Sequence, residues 1–384
     1  DPVGWSGGIY GFRADHFTVA AKRTSQALVE AEIFSTLAYL LGADYPSGDF
    51  TQAWRELCYW LHHEPIYYFD EDYWPIIKII RSMEEWAKTV IRGKTQFISQ
   101  LIDAPICSII VLNACNWNRI DVVSCKICFL KKVKDFHIVD IEGKKVKHQV
   151  ISAGRDENGL LEEAEVIFTA HVPSVGYTTY SVVEGCKDER REESLKISSD
   201  LLENQFYRIR LEGGLMKSVI DKEGGRELLV PDNVLGNELL VDVGEEVAEL
   251  HFKPNGTVRF KPKSVEIMEK GPVRGCLRVK GHVGKSPVCQ EICIYDEIPR
   301  MDLKIELNCL EKNMRYRVAF PLKVSLEKSM VVRDIHFGAE ETDLSKEPLY
   351  GVEREGYSLA LFSRTVGSTT GPCTVCWADE WAAL

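Results

Sequence analysis

Apolar positions fall into two regimes along the chain. From Phe17 to Leu41 they recur every three or four residues: Phe17, Ala20, Ala21, Thr24, Ala27, Leu28, Ala31, Phe34, Leu37, Ala38 and Leu41. At the helical period these share one face, which predicts a long amphipathic helix stopped by Gly42. The loop signal Pro46-Ser47-Gly48-Asp49 precedes a second predicted helix, from about Phe50 to His63, with Trp54, Leu57, Cys58 and Leu61 on its apolar face. Pro65 is expected to end it, because proline disfavours helical backbone in the residue before it. A third helix is expected to open near Pro75, where the ring suits a first turn. Ile76, Ile80, Met83, Ala87, Val90, Ile91 and Ile98 give it a stripe. Three helices with short connections predict a three-helix bundle over residues 13–104.

Beyond residue 105 the period drops to two. Ile106 to Ala114 reads as a buried strand, Ile209 alternates with Arg208 and Arg210, and the run Cys289 to Tyr295 ends in Asp296-Glu297-Ile298-Pro299. Gly213-Gly214, Gly224-Gly225, Asn255-Gly256 and Gly284 mark expected turns. Helical periodicity nearly vanishes. The fold class expected is α+β multidomain: the helical bundle, then a large antiparallel all-β region of sandwich type over residues 105–384. Lys187 to Glu193 reads as a charged linker or long loop.

Composition narrows the function classes. Of 384 residues, 47 are Lys or Arg and 58 Asp or Glu, a net charge of −11. Such a chain is a poor partner for nucleic acid or for anionic membrane surfaces. No apolar run reaches the roughly 18 residues of a membrane-spanning helix. Twelve cysteines are too few for a disulfide scaffold. Several, such as Cys58, Cys107, Cys276 and Cys293, lie in apolar runs, so buried reduced thiols and a cytoplasmic location are expected. The pairs Cys125/Cys128 and Cys373/Cys376 lack the spacing of a zinc module. On a strand, residues three apart face opposite sides of the sheet. The start, Asp1-Pro2-Val3-Gly4-Trp5, is neither an initiator methionine nor a signal peptide, and the chain is expected to be an excised piece.

The segment Tyr59-Trp60-Leu61-His62-His63-Glu64-Pro65-Ile66-Tyr67-Tyr68-Phe69-Asp70 concentrates candidate chemistry. Neutral imidazole is a common zinc ligand, and aromatic faces suit sugar rings. Adjacent histidines on a helix point about 100° apart, so both cannot easily face one site. On the residues alone, the favoured reading is one core histidine, one surface histidine and a packed aromatic helix end. Trp54, Tyr59 and Trp60 are expected to pack inside the bundle, and Asp70-Glu71-Asp72 to start the third helix, where negative charge suits the dipole. His16, near Arg13, is either an exposed helix start or part of the same cleft.

In order along the chain, several short motifs resemble glycoside hydrolase family 38, the α-mannosidases. Trp5 to Arg13 resembles the family's W-x-G-Y-Y-T-S-R, and Leu61 to Ile66 resembles Q-H-H-D-A-I. Asn113 to Trp117 resembles N-P-x-x-W, and Val172 to Tyr180 resembles V-P-x-x-G-Y-x-x-Y. Leu202 to Tyr207, Gly213-Gly214-Leu215, Gly225 to Leu229, Gly271 to Arg274 and Ala319-Phe320-Pro321 follow in the family's order. The resemblance implies that residues 1–12 are the tail of a preceding catalytic domain. It implies that His63 is one ligand of a catalytic zinc, whose other ligands lie in that (β/α) domain, and that Glu64 contacts sugar hydroxyls. Tyr67 and Tyr68 stand where the family has T-G-T or P-G-S, so they are expected to border the sugar site. The chemistry implied is retaining hydrolysis of an α-mannoside, with two carboxylates about 5 Å apart, neither within these residues. This chain alone is therefore expected to be inactive. The alternative is a non-catalytic carbohydrate-binding or scaffold protein of the same descent, and homo-oligomerisation is left open.

Overall fold

A computed structural model of the chain describes residues 14–61, 70–105, 107–185, 194–230, 233–247, 251–311, 314–323, 331–335, 338–342, 358–360, 364–366 and 373–375. Packing divides the chain into two compact units, Asp1–Arg191 and Glu192–Leu384. The expected linker at 187–193 lies outside the described residues.

The described residues of the first unit begin with three helices, α1 (Ala14–Leu40), α2 (Ser47–Trp60) and α3 (Asp70–Gln100). Leu28 and Ala31 of α1, Leu57 of α2, and Tyr73, Ile77 and Ile80 of α3 are buried in one shared core. Thr24 belongs to this apolar stripe although it is polar. Its hydroxyl lies 2.8 Å from the Ala20 carbonyl oxygen and 3.0 Å from that of Ile80, so it is satisfied across the α1–α3 contact. Gly42 ends α1 as expected: at φ +100° it adopts a left-handed turn, and the Ala43 N–H returns 2.9 Å to the Ala38 carbonyl.

The helix details differ from the sequence reading in two places. The buried face of α2 is Phe50, Ala53 and Leu57, while Cys58 is exposed and Leu61 is 47% exposed. Cys58 is rotated about 100° from Leu57, and Leu61 caps the helix beyond its last covered turn. Helix α3 starts at Asp70, as expected of Asp70-Glu71-Asp72, where the helix dipole favours negative charge. Pro75 therefore lies inside the helix, five residues past its start, and not in the first turn expected of it.

Two antiparallel sheets complete this unit. One runs in the order Ser108–Asn113, Gly176–Glu184, Phe136–Val139, Lys145–Val146. The other runs Arg119–Val133, Leu161–Val172, His148–Arg155. Phe136, Ile138 and Tyr180 of the first meet Val166, Phe168 and Ala170 of the second in one core. Ser108–Asn113 is half-buried rather than buried, because it is an edge strand of its sheet. Cys125 packs against this core while Cys128 is exposed, as their spacing on a strand requires.

The second unit is built around a five-stranded antiparallel sheet: Lys261–Lys270, Arg274–Val283, Ser286–Tyr295, Met301–Leu307 and Cys373–Val375. Its inner face is long enough to cover two other sheets. Toward one end Val279, Val283 and Val288 pack on Leu239 and Val241 of Glu238–Val247 and on Tyr316 of Met314–Pro321. Toward the other, Leu277, Ile292 and Ile294 pack on Leu202, Ile209 and Met216 of the sheet containing Leu201–Glu203, Tyr207–Glu212 and Leu215–Asp221. Gly214 turns between two of these strands at φ +88°. A Cβ there would lie 2.6 Å from a Val279 methyl, so both conformation and space require glycine.

Two further expectations fail here. Asn255-Gly256 is not a turn: it lies inside His251–Arg259, where the pairing shifts between Val243 opposite Gly256 and Gly244 opposite Pro254. Asn255 is the extra residue of a bulge, a role that suits the same residue types. The expectation of buried reduced thiols also fails for all four cysteines singled out. Cys58 and Cys107 are exposed, and Cys276 and Cys293 form a disulfide. They oppose each other directly on neighbouring strands, a proximity that the sequence separation of 17 does not reveal.

Candidate functional site

The residues to which the sequence assigns chemistry, His63, Glu64, Tyr67 and Tyr68, lie outside the described residues, as do His62 and Pro65. Arg13 does too, and of His16 only its place in α1 is described. The two helix ends that flank the segment are described. At the end of α2, Trp60 packs against the helical core and donates from Nε1 to Glu56 Oε1 at 2.8 Å. Trp54 packs there as expected. Tyr59 does not: it is 66% exposed and stands edge-on to Trp60, with centroids 4.7 Å apart. It follows Cys58 around the helix, away from the Phe50–Leu57 face. At the start of α3, Tyr73 is fully buried, and Trp74, edge-on to it, is 45% exposed. Exposed aromatic surface therefore borders the segment on both sides in sequence.

The described motifs act through hydrogen bonds to backbone. In Leu202 to Tyr207, the Asn204 carboxamide donates 2.8 Å to the Tyr295 carbonyl, and its oxygen accepts the N–H groups of Phe206 and Tyr207. Gln205 donates to the Asp296 carbonyl at 2.6 Å, and the Asp296 N–H donates to the Val273 carbonyl at 3.0 Å. One motif thus holds the corner after Ser286–Tyr295, and that corner holds the Gly271 to Arg274 turn. Glu203, 6% exposed, accepts two bonds of 3.1 Å from Arg208 and lies 2.7 Å from Lys222 Nζ. The Arg208 hydrogen bonds, helped by Lys222 against the opposing effect of burial, lower its carboxyl to about 2.

Asn113 does the same in the first unit. It donates to the carbonyls of Trp117 at 2.8 Å and Pro173 at 2.9 Å, and its oxygen accepts the Cys115 N–H. Two motifs 60 residues apart are thereby joined. In the second unit Asp242, 1% exposed, accepts bonds from Arg315, Arg317 and Thr257. Burial pushes its carboxyl up, and these three donors outweigh that and leave it below the usual value. The sequence reading missed this cluster, because strand pairing brings the two arginines to Asp242 from more than 70 residues away.

Among the described residues no three His, Cys, Asp or Glu side chains converge as a metal site needs. Two open clefts lie away from these polar clusters. One of about 480 Å³ is lined by Gly42, Asp44, Pro46, Gly93, Lys94 and Phe97. Another of about 400 Å³ lies over Ser124, Lys126, Ser152 and Glu163.

Comparison with known proteins agrees with this distribution of structural motifs. Residues 202–344 match the family model of the glycosyl hydrolases family 38 C-terminal domain. A glycosyl hydrolase family 38 protein from Enterococcus faecalis superposes with a TM-score of 0.68 at 16% identity, over 84% of this chain and 46% of its own. An alpha-mannosidase from Enterococcus faecalis gives a TM-score of 0.63 at 16% identity, over 83% of this chain and 44% of its own. The chain thus spans less than half the length of either. No curated protein matches it.

Proposed function

We propose that this chain, whose residues 202–344 carry a family 38 glycosyl hydrolase C-terminal domain, is the helical-bundle and β-sandwich portion of a retaining, zinc-dependent α-mannosidase. The observation that carries the reading is the coincidence of that match with a fold shared over 84% of the chain. The substrate is an α-mannosidic glycan. The nucleophile and the acid/base carboxylates belong to a (β/α) domain outside these residues, which is this chain's principal partner. His63 contributes one zinc ligand, Glu64 contacts sugar hydroxyls, and Tyr67 and Tyr68 border the sugar. The described residues alone do not make up a zinc site. What this chain supplies is position: α2 and α3 carry the ends of the 62–69 segment, Asn113 locks the sheets of the first unit, and Asn204 and Asp242 lock those of the second.

Glu64 is one methylene longer than the family's aspartate, and Tyr68 stands where the family has glycine, the residue that allows the closest backbone approach. We infer from these two departures a sugar site narrower than the family's, which favours a restricted glycan over a broad range of aryl mannosides. The test is hydrolysis of aryl α-mannosides and of α-linked mannan oligosaccharides by the longer protein, with zinc content measured in the same preparation. A zinc-bearing protein that cleaves α-mannosides supports the reading. A folded protein with neither zinc nor turnover favours the carbohydrate-binding alternative.

A further inference from the structure

Cys276 and Cys293 are opposed across neighbouring strands, with Cα atoms 4.2 Å apart and their sulfurs bonded. Leu277, Val279, Ile292 and Ile294 face the core, so strand alternation places the disulfide on the other face of the sheet. On that face the register sets Arg274 opposite Tyr295, Cys276 opposite Cys293, and Arg278 opposite Glu291. Arg274 and Arg278 thus flank Cys276 at two residues to either side, about 6.6 Å along the strand. Both guanidiniums are fixed by carboxylates, Arg274 by Glu269 at 2.6 and 3.0 Å and Arg278 by Glu291 at 2.6 and 2.9 Å. On their outer sides the register sets Glu269 opposite Cys276 and Asp302 opposite Cys293, Asp302 being paired with Arg300 at 2.8 Å. Access differs as well: Cys276 is 5% exposed, whereas Cys293 is half-buried and open to solvent.

We propose that Cys293 is a reversible thiolation site, with Cys276 as its resolving thiol. The thiolate of a small-molecule thiol of the glutathione class attacks the Cys293 sulfur. A bond forms between those two sulfurs, the Cys276–Cys293 bond breaks, and its electron pair leaves on Cys276. That thiolate forms on the strand that carries Arg274 and Arg278 two residues to either side, and positive charge nearby favours a thiolate as leaving group. A second thiol then displaces the first from Cys293, giving two protein thiols and the oxidised small-molecule disulfide. In reverse, the Cys276 thiolate attacks the mixed disulfide at Cys293, expels the small thiolate and restores the cross-strand bond. The direction of exchange is set by access, since Cys276 is buried and Cys293 is not, and it is independent of any glycan chemistry.

The experiment uses the whole chain. Accessible free thiols, Cys58, Cys107 and Cys128 among them, are first alkylated on the native protein. The chain then meets graded mixtures of reduced and oxidised glutathione, is quenched in acid, and is mapped by peptide mass spectrometry. Circular dichroism in parallel reports whether it stays folded. Glutathione is expected on Cys293 in about tenfold excess over Cys276. Arg278→Gln is expected to slow release of the Cys276 thiol roughly two- to fivefold, with Arg278→Lys restoring the rate. Equal labelling of both cysteines, preferential labelling of Cys276, or a disulfide that resists glutathione until the chain unfolds would each overturn the proposal. The wild-type map decides this even if the arginine variant fails to fold.

Discussion

Asn204 and Tyr295, 91 residues apart in sequence, are joined by a 2.8 Å hydrogen bond from the Asn204 carboxamide to the Tyr295 carbonyl. The same side chain caps the N–H groups of Phe206 and Tyr207, so one residue closes a turn and ties it to a distant corner. Asn204→Ala leaves a buried carbonyl and two N–H groups without this partner. The expected loss is about 2–4 kcal/mol, from one to three unsatisfied buried groups. Urea denaturation should show a lower midpoint at unchanged slope, and a variant as stable as wild type would remove Asn204 from this role.

Glu203 should make the second unit acid-sensitive. Its carboxyl lies at about 2 in the folded chain against an ordinary 4.5. A depressed folded value means that its contribution is fully present above about pH 4.5 and disappears as pH falls through 2. Thermal melts from pH 6 to pH 2 should therefore lose stability across that window. In Glu203→Gln the melting temperature should be lower at pH 6 and the acid slope shallower. Parallel curves for the two proteins would contradict the assignment.

Asp242 accepts from two arginines while almost wholly buried. Asp242→Asn keeps the shape but leaves two guanidiniums facing a neutral group. A destabilisation of about 3–5 kcal/mol is expected, the range for removing one partner of a buried ion pair. Replacing Arg315, Arg317 and Asp242 together by apolar residues of similar volume should recover part of it. Failure of the triple variant to recover any stability would point to a role beyond charge compensation.

Gly214→Ala combines a strained left-handed backbone with a Cβ 2.6 Å from Val279. About 2–4 kcal/mol of destabilisation is expected, from backbone strain of 1–3 kcal/mol together with overpacking. Pairing it with Val279→Ala should relieve the steric part and leave the backbone part. A double-mutant cycle with no coupling would show that the two residues do not meet.

For the proposed zinc ligand, His63→Ala in the longer protein should lower zinc retention and α-mannoside turnover by at least about 10–100-fold. His62→Ala should mainly affect stability. Metal analysis and hydrolysis rates on both variants decide which histidine binds, and the reverse pattern would exchange the two assignments. The 384-residue chain alone should turn over no aryl α-mannoside.

The sequence by itself determined the local structure and the order of parts. Three- and four-residue spacing located all three helices, because a helix can bury only the face its period repeats. Two-residue alternation announced the sheets, and the run of short motifs pointed to the family that residues 202–344 match. The tertiary structure decided what depends on partners distant in the chain. Strand register brought Cys276 to Cys293 and Asp242 to Arg315 and Arg317, and made a bulge of Asn255-Gly256. It also turned Cys58 and Tyr59 outward on a helix whose buried face spans only Phe50, Ala53 and Leu57. Composition and periodicity encode which way a side chain leans from its own element. Which element lies opposite is fixed only when sheets and helices pack, since a one-residue slip of register moves every side chain to the other face.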